Sequence, residues 1–466
     1  MNAEDKDWND RQAKEPKPGR NSLFFVASLL VAFLLTMLIS RPGFTQSQNY
    51  VLFLLFFSIG LWLTEAIPPF AVGLFIMAYL VFMLGNARIN ENPQEVAKYV
   101  QTFSNSIIWL LLGGFFLAEA MTKTGIDLYF FQFVLRLSGK IPGNILMGIM
   151  LMTMTASMIL SNSATTSMVI ASVMPLIRKL NGTTFSKSLL LGIPLAASVG
   201  GMGTIIGSPT NAIAAGVLEE NGITISFLRW MYFGVPLAFI ITLAGWWLLK
   251  RKFIAGKNPI EFEISAIEKP RGKKLQNHRI IVMVVLISTV FLWMTSSFHN
   301  LSVSAVAVLP IVTLTMTGIL KSEDIRRLPW DTLLLVAGGL SLGLALQDTK
   351  LLEHFAGHIM SSSFSTVFLY LTFAYVTMIF SNIMSNTATA TILIPLGIYL
   401  MPEHVIQIAV ILGLSASTAL LLPVSTPPNA IAYSTGLIKQ REFLTGGLLV
   451  GLMGPPLIVI LVMLIL

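Results

Sequence analysis

Cysteine is absent from this chain and charge is scarce: only 11% of its 466 residues are Asp, Glu, Lys or Arg. The first absence excludes disulfides and thiolate metal sites. The second excludes a water-facing exterior, because a soluble domain carries roughly 25% charged residues. Histidine is also rare, with five residues, mostly near loops and ends, that show no ligand spacing. What fills the chain instead is apolar: 55% of residues are hydrophobic and the mean hydropathy is +0.77. Long runs almost without charge occupy 22–39, 51–62, 280–293 and 448–466. A bilayer core needs about 20 such residues per helix, so the chain reads as an all-α polytopic membrane protein. The apolar stretch that follows the polar first 20 residues lacks a small-residue cleavage site, and is expected to stay as a helix rather than leave as a signal peptide.

Eleven spans and two re-entrant hairpins are expected. Spans 1 to 3 fall at about 22–40, 49–66 and 68–85, and a short amphipathic segment at 92–101 leads into span 4 at about 104–137. A hairpin at about 142–180 precedes spans 5 and 6 at about 187–219 and 228–250. Spans 7 to 9 fall at about 279–299, 302–320 and 330–359; a second hairpin at about 364–400 precedes spans 10 and 11 at about 405–437 and 443–466. The domain plan is a cytoplasmic tail (1–21), a first span with its loop (22–48), a first repeat (49–250), a basic linker (251–278) and a second repeat (279–466). Lys and Arg accumulate in cytoplasmic loops. With the N-terminus inside, 24 of the 30 Lys and Arg residues fall on the cytoplasmic side. That count predicts a cytoplasmic N-terminus and an outside C-terminus in a cell membrane. It also explains the net charge of +8 without a nucleic-acid partner.

Three features recur in order. Leu110–Gly114 is answered by Leu333–Gly339, Ser161-Asn162-Ser163-Ala164-Thr165 by Ser385-Asn386-Thr387-Ala388-Thr389, and Gly207-Ser208-Pro209-Thr210-Asn211 by Ser425-Thr426-Pro427-Pro428-Asn429. One repeat unit crosses the bilayer five times, since a re-entrant hairpin does not cross. An odd number of crossings turns the second copy upside down, which predicts inverted topology for spans 2–6 and 7–11.

Polar runs inside apolar segments are costly. Each unpaired polar group in hydrocarbon costs several kcal/mol, so irregular backbone at that depth survives only in protein or along a cavity. Breaks at matching places in two repeats point to a transporter's binding site. At the hairpin tips, Ser161 and Ser385, an outgoing half-helix presents free N–H groups and partial positive charge. Ser163, Thr387, Asn162 and Asn386 add neutral donors there. Proline in the other two breaks frees carbonyls that can coordinate a small hard cation. Each motif alone reads equally well as close helix packing; the ordered recurrence favours a site. The Gly113-Gly114 and Gly338-Gly339 pairs fit packing better.

The paired Ser-Asn-Ser/Thr signatures, Thr426-Pro427-Pro428-Asn429 and Trp62-Leu63-Thr64-Glu65-Ala66-Ile67-Pro68 resemble the divalent anion/sodium symporter family, over nearly the whole chain. The resemblance implies a homodimeric elevator. Its transport domain would comprise 142–219 and 364–437, and the rest would be scaffold. It implies a first sodium site at Ser157, Ser161, Asn162 and Gly207, and a second at Ser381, Met384 (through its carbonyl), Asn386 and Ser425. Substrate contacts would fall on Asn162, Ser163, Ser208, Asn386, Thr387, Thr426 and Pro427. The implied activity is sodium-coupled uptake of a divalent anion, foremost a C4-dicarboxylate such as succinate, malate or fumarate. Dicarboxylate or tricarboxylate exchange and sodium/sulfate symport are the alternatives. Sodium is the only expected accessory ion, acting as coupling ion. Two departures from the family pattern bear on pocket size: Ser163 stands where Thr is usual, and Thr210 interrupts the doubled proline.

The remaining ionisable groups read otherwise. Glu119 and Lys123, four residues apart, are placed to neutralise each other, and Glu65 sits near an interface. An intramembrane serine enzyme is disfavoured, because no His or Lys stands in the motifs to activate Ser161 or Ser385. A passive channel is the third reading.

Overall fold

The computed structural model describes residues 18–86, 88, 90, 95–180, 183–254, 259, 273–299, 301–351 and 364–466. Among them every regular element is helical. The first half holds α1 (Pro18–Ile39), α2 (Gln46–Thr64), α3 (Pro69–Gly85), α4 (Ala97–Gln101), α5 (Ser106–Thr124) and α6 (Ile126–Ser138). It continues with α7 (Pro142–Ser157), α8 (Asn162–Lys179), α9 (Thr184–Gly200), α10 (Pro209–Glu220) and α11 (Phe227–Phe253). The second half holds α12 (Lys273–Met294), α13 (Ser296–His299), α14 (Val303–Met316), α15 (Ser322–Arg326), α16 (Trp330–Asp348) and α17 (Thr366–Ile383). It ends with α18 (Asn386–Leu400), α19 (Val405–Ala416), α20 (Pro427–Ser434) and α21 (Gln440–Ile465). Hydroxyls of Thr45, Ser226, Ser302 and Ser365 cap the starts of α2, α11, α14 and α17, satisfying N–H groups that a first turn leaves unpaired.

Among the described residues nine helices are long and apolar enough to cross a membrane, and α3 and α14 are shorter apolar helices. The expected span at about 104–137 is two helices rather than one. Gly125 adopts the left-handed region (φ 68°) and its N–H closes on the Met121 and Thr122 carbonyls, which ends α5. The chain then restarts as α6, with Asp127 in its first turn and Arg136 in its last. The expected span at about 330–359 is helical to Asp348; residues 352–363, the first 17 residues and most of the basic linker lie outside the described residues.

Both hairpins are present as helix–break–helix units, α7–α8 and α17–α18. Both expected broken spans occur as well. Two short 3-10 turns separate α9 from α10, residues 417–426 separate α19 from α20, and α18 meets α19 at a bend of 109°. The centre of the molecule is α9, with 94% of its span buried; α7, α8, α11, α20 and α21 all pack against it. Away from that centre, α3 crosses α16 and α5 crosses α14. Glycine makes both crossings: a Cβ on Gly338 would sit 2.3 Å from the Gly73 Cα, and one on Gly113 would sit 2.8 Å from the Ala307 Cβ.

Two ion pairs bracket these crossings. Lys98 in α4 holds Asp348 at the end of α16 at 2.7 Å, and Lys123 at the end of α5 holds Asp324 on α15. The 225-residue offset between the Gly113-Gly114 and Gly338-Gly339 pairs carries Lys123 onto Asp348 and Lys98 onto Glu323, next to Asp324. The partner of Lys123 is Asp324, not Glu119 as the helix spacing suggests. Burial pushes the Asp324 carboxyl up, but the Lys123 ammonium and the Lys321 N–H hold it below the usual aspartate range. Glu65 is exposed in a left-handed turn (φ 49°) between α2 and α3, bridged by a 3.2 Å hydrogen bond from the Trp62 indole to the Pro69 carbonyl.

Reversing one charge, as in Lys98→Asp, is expected to lower the thermal midpoint in detergent. Adding Asp348→Lys should recover part of the loss, with a coupling of about 1 kcal/mol or less for such a part-exposed pair. Absence of any coupling in that double-mutant cycle contradicts the bracket.

Candidate functional site

In the first half, α7 ends at Ser157 and the tip turns through 158–161. Ser161 caps α8 by accepting the Ala164 N–H at 3.2 Å. The Ser157 hydroxyl lies 2.7 Å from the Ala197 carbonyl of α9 and 2.6 Å from the side-chain oxygen of Asn162, yet it has one proton for two acceptors. Around that end of the Asn162 amide stand the Ala197 and Gly207 carbonyls at 3.1 and 3.3 Å. With the amide nitrogen inward, its two protons are shared among the Ser157 hydroxyl and these two carbonyls, and the cluster is satisfied. With the oxygen inward, neutral oxygens converge with too few protons between them, which is the arrangement a small hard cation fills. Glycine is required beside this cluster. A Cβ on Gly207 would meet the Gly201 carbonyl oxygen at 2.6 Å and the Ser157 carbonyl oxygen at 3.1 Å.

The unwound stretch between α9 and α10 is held by its own side chains. Thr204 donates to the Met158 carbonyl at the hairpin tip and accepts the Gly207 N–H at 3.0 Å. Asn211 donates to the Gly201 and Thr204 carbonyls, both at 2.8 Å. Ser208 and Pro209 then start α10.

The second half repeats the pattern. Ser381 lies 2.7 Å from the Asn386 side-chain oxygen and 2.8 Å from the Ala416 carbonyl. Ser385 caps α18 through the Ala388 N–H at 3.2 Å, and Met384, buried, ends α17. Asn429 donates to the Leu420 and Leu422 carbonyls at 3.2 and 3.0 Å. The Ser425 hydroxyl stands 2.9 Å from the Asn382 side-chain oxygen, and Thr426 caps α20.

The halves interlock. From the second half, α20 packs on α8 and α9; from the first, α10 packs on α18 and α19. The hydroxyls of Thr210 and Ser417, one from each half, stand 3.4 Å apart. Of the expected residues, Ser157, Gly207, Ser208, Ser381, Met384, Ser425 and Thr426 are buried. Asn162, Ser163, Asn386 and Thr387 are half-buried, and Ser161 and Pro427 are exposed. Sequence reasoning assigned no role to Thr204, Asn211, Asn382 or Asn429. Asn211 and Asn429 left a signal, standing at one place in both motif copies. Thr204 and Asn382 left none, because their counterparts in the other half are Leu422 and Met158. Among the described residues no group of three or more His, Cys, Asp or Glu is placed to hold a metal ion. The converging ligands are uncharged, which suits a monovalent cation better than a divalent one.

Asn211→Ala and Asn429→Ala each strand two carbonyls, at about 1–3 kcal/mol for each buried group left unpaired. Both variants are expected to unfold at clearly lower temperature in detergent; an unchanged midpoint removes the tether.

The chain is similar over most of its length to known transporters. The sodium-dependent dicarboxylate transporter SdcS of Staphylococcus saprophyticus is 29% identical across 92% of this chain and 88% of its own length. SdcS of Staphylococcus aureus (strain USA300) is 28% identical across the same shares. Two solved structures share the fold. Neisseria gonorrhoeae MtrF, described as illuminating a class of antimetabolite efflux pumps, has a TM-score of 0.56 at 12% identity, over 85% of this chain and 94% of its own. The Alcanivorax borkumensis YdaH transporter has a TM-score of 0.57 at 13% identity, over 84% of this chain and 97% of its own. SdcS is a carrier rather than an enzyme, and the similarity to it bears out the resemblance to sodium-coupled anion symporters. A model of the citrate transporter family (CitMHS) matches residues 59–410, across both hairpins and the break between α9 and α10, and the chain belongs to that family.

Proposed function

We propose that this protein is a secondary active carrier that couples sodium to the uptake of a dianion, foremost a C4-dicarboxylate, across the cell membrane. The observation that carries the reading is the pair of uncharged polar clusters, around Asn162 and Asn386, in each of which a serine hydroxyl, an asparagine amide and a backbone carbonyl of the broken helix converge. Sodium enters them as co-substrate, at Ser157, Ser161, Asn162 and Gly207 in the first and at Ser381, Met384, Asn386 and Ser425 in the second.

The dianion then has its charge balanced by those ions. The starts of α8 and α18 turn N–H groups and partial positive charge toward it. Among the described residues the hydroxyls of Ser163 and Thr387 make no hydrogen bond, and so are available to a carboxylate; Asn162, Asn386, Ser208, Thr426 and Pro427 complete the contacts. The repeats are read as inverted, the N-terminus as cytoplasmic and the C-terminus as outside, and the protein as a homodimer that moves its hairpins and broken helices as an elevator. A cavity flanks each hairpin. That beside α7, lined by Met121, Ile126, Thr155 and Ile159, measures about 1040 Å³, and that beside α17–α18, lined by Leu55, Ile59, Phe380 and Met384, about 330 Å³. Unequal gaps beside equivalent hairpins support a moving part at one end of its travel.

In proteoliposomes, replacing external sodium by choline is expected to abolish uptake of labelled succinate; uptake that persists without sodium favours exchange instead. Asn386→Ala should cut sodium-driven uptake about ten- to a hundredfold, the loss of one hydrogen bond to a charged group. Normal uptake in a folded Asn386→Ala protein removes the second signature from the site.

A further inference from the structure

The two halves are not equivalent at the starts of α10 and α20. Thr426 accepts the Asn429 N–H at 3.4 Å, which leaves its hydroxyl proton uncommitted. Ser208, its counterpart, makes no such cap; its hydroxyl lies 2.9 Å from that of Thr210. Thr210, fully buried, stands where the second half has Pro428, which offers neither hydroxyl nor N–H. The mirrored site shows the consequence. Ser417, which faces Thr210, has Ser198 as its counterpart, and the buried Ser198 hydroxyl has no partner, as expected where Pro428 replaces Thr210.

Proton counting gives the first-half chain a direction. Asn211 spends both amide protons on the Gly201 and Thr204 carbonyls, so its side-chain oxygen can only accept. Thr210 stands 3.3 Å from that oxygen as its donor. A hydroxyl has one proton. With its proton given to Asn211, Thr210 receives from Ser208, which at 2.9 Å stands nearer than Ser417 at 3.4 Å, and the Ser208 proton is then turned away from a substrate.

We infer that Thr210 is a positioning residue that makes the first-half wall of the pocket an acceptor through Ser208, while Thr426 keeps the second-half wall a donor, so that a dicarboxylate carrying a hydroxyl is preferred over its unsubstituted analogue. This rests on the reading of Ser208 as a substrate contact. A carboxylate meets donors at Thr426 and Thr387. A hydroxyl on the carbon chain of the substrate gives its proton to Ser208.

The test is competition of malate against succinate for sodium-driven uptake of labelled succinate in proteoliposomes, at saturating sodium. The wild type should prefer malate by about three- to tenfold, the weight of one net hydrogen bond. Thr210→Val and Thr210→Ala, two variants so that a folding failure of one does not end the test, should bring the ratio near parity by releasing the Ser208 proton. Thr210→Ser should keep the preference. A purely structural role would lower uptake of both substrates and leave their ratio alone. A wild type without preference, or a ratio unmoved in a folded Val or Ala variant even if sodium affinity shifts, overturns the inference. Wild-type protein that takes up neither substrate overturns the carrier reading instead.

Discussion

Backbone carbonyls and N–H groups released inside a bilayer must find partners within the protein, because hydrocarbon offers none. The rest of this molecule follows from that constraint. Four breaks interrupt its helices, and each is closed by side chains from its own half. Asn211 and Asn429 hold the loosened carbonyls, Ser161 and Ser385 hold the loosened N–H groups, and Thr204 or Asn382 staples the broken helix to the hairpin tip. What is left over defines the candidate site. Carbonyls, serine hydroxyls and side-chain amides meet around Asn162 and Asn386, and among the described residues the half-buried hydroxyls of Ser163 and Thr387 make no hydrogen bond.

That remainder has a chemical character. It contains no carboxylate and no ammonium, so the protein itself does not balance the charge of a dianion. In the proposed cycle bound cations do, which makes coupling a consequence of electrostatics: a dianion among neutral dipoles is poorly held until cations fill the oxygen clusters. The charged groups that do occur stand elsewhere. Lys98–Asp348 and Lys123–Asp324 bracket the helix crossings at Gly73–Gly338 and Gly113–Ala307, which suits a frame against which the proposed mobile part slides.

Much of this was legible in the sequence because polar residues in apolar surroundings are costly and therefore conspicuous. Ser-Asn-Ser-Ala-Thr and Ser-Asn-Thr-Ala-Thr located both hairpin tips, and the paired prolines located both unwound stretches. The helix stop at Gly125 was missed, because apolar periodicity runs through 104–137 and a single glycine does not announce its φ. The Lys123 partner was missed because Asp324 is distant in sequence while Glu119 is near. Thr204 and Asn382 were hidden by asymmetry: the two halves perform one stapling task with different side chains, so repeat comparison could not flag them. The same kind of asymmetry, Thr210 against Pro428, was visible as a departure from pattern, but its meaning needed the hydrogen bonds around Asn211.

The central claim is that breaks from both halves line one pocket. The natural absence of cysteine allows a direct measurement. Ser163→Cys and Thr387→Cys, introduced singly, are alkylated in membranes by a permeant maleimide, with and without sodium and dicarboxylate. A shared pocket predicts that sodium and dicarboxylate together slow the reaction at both positions. Protection at one position and unchanged reactivity at the other would contradict it.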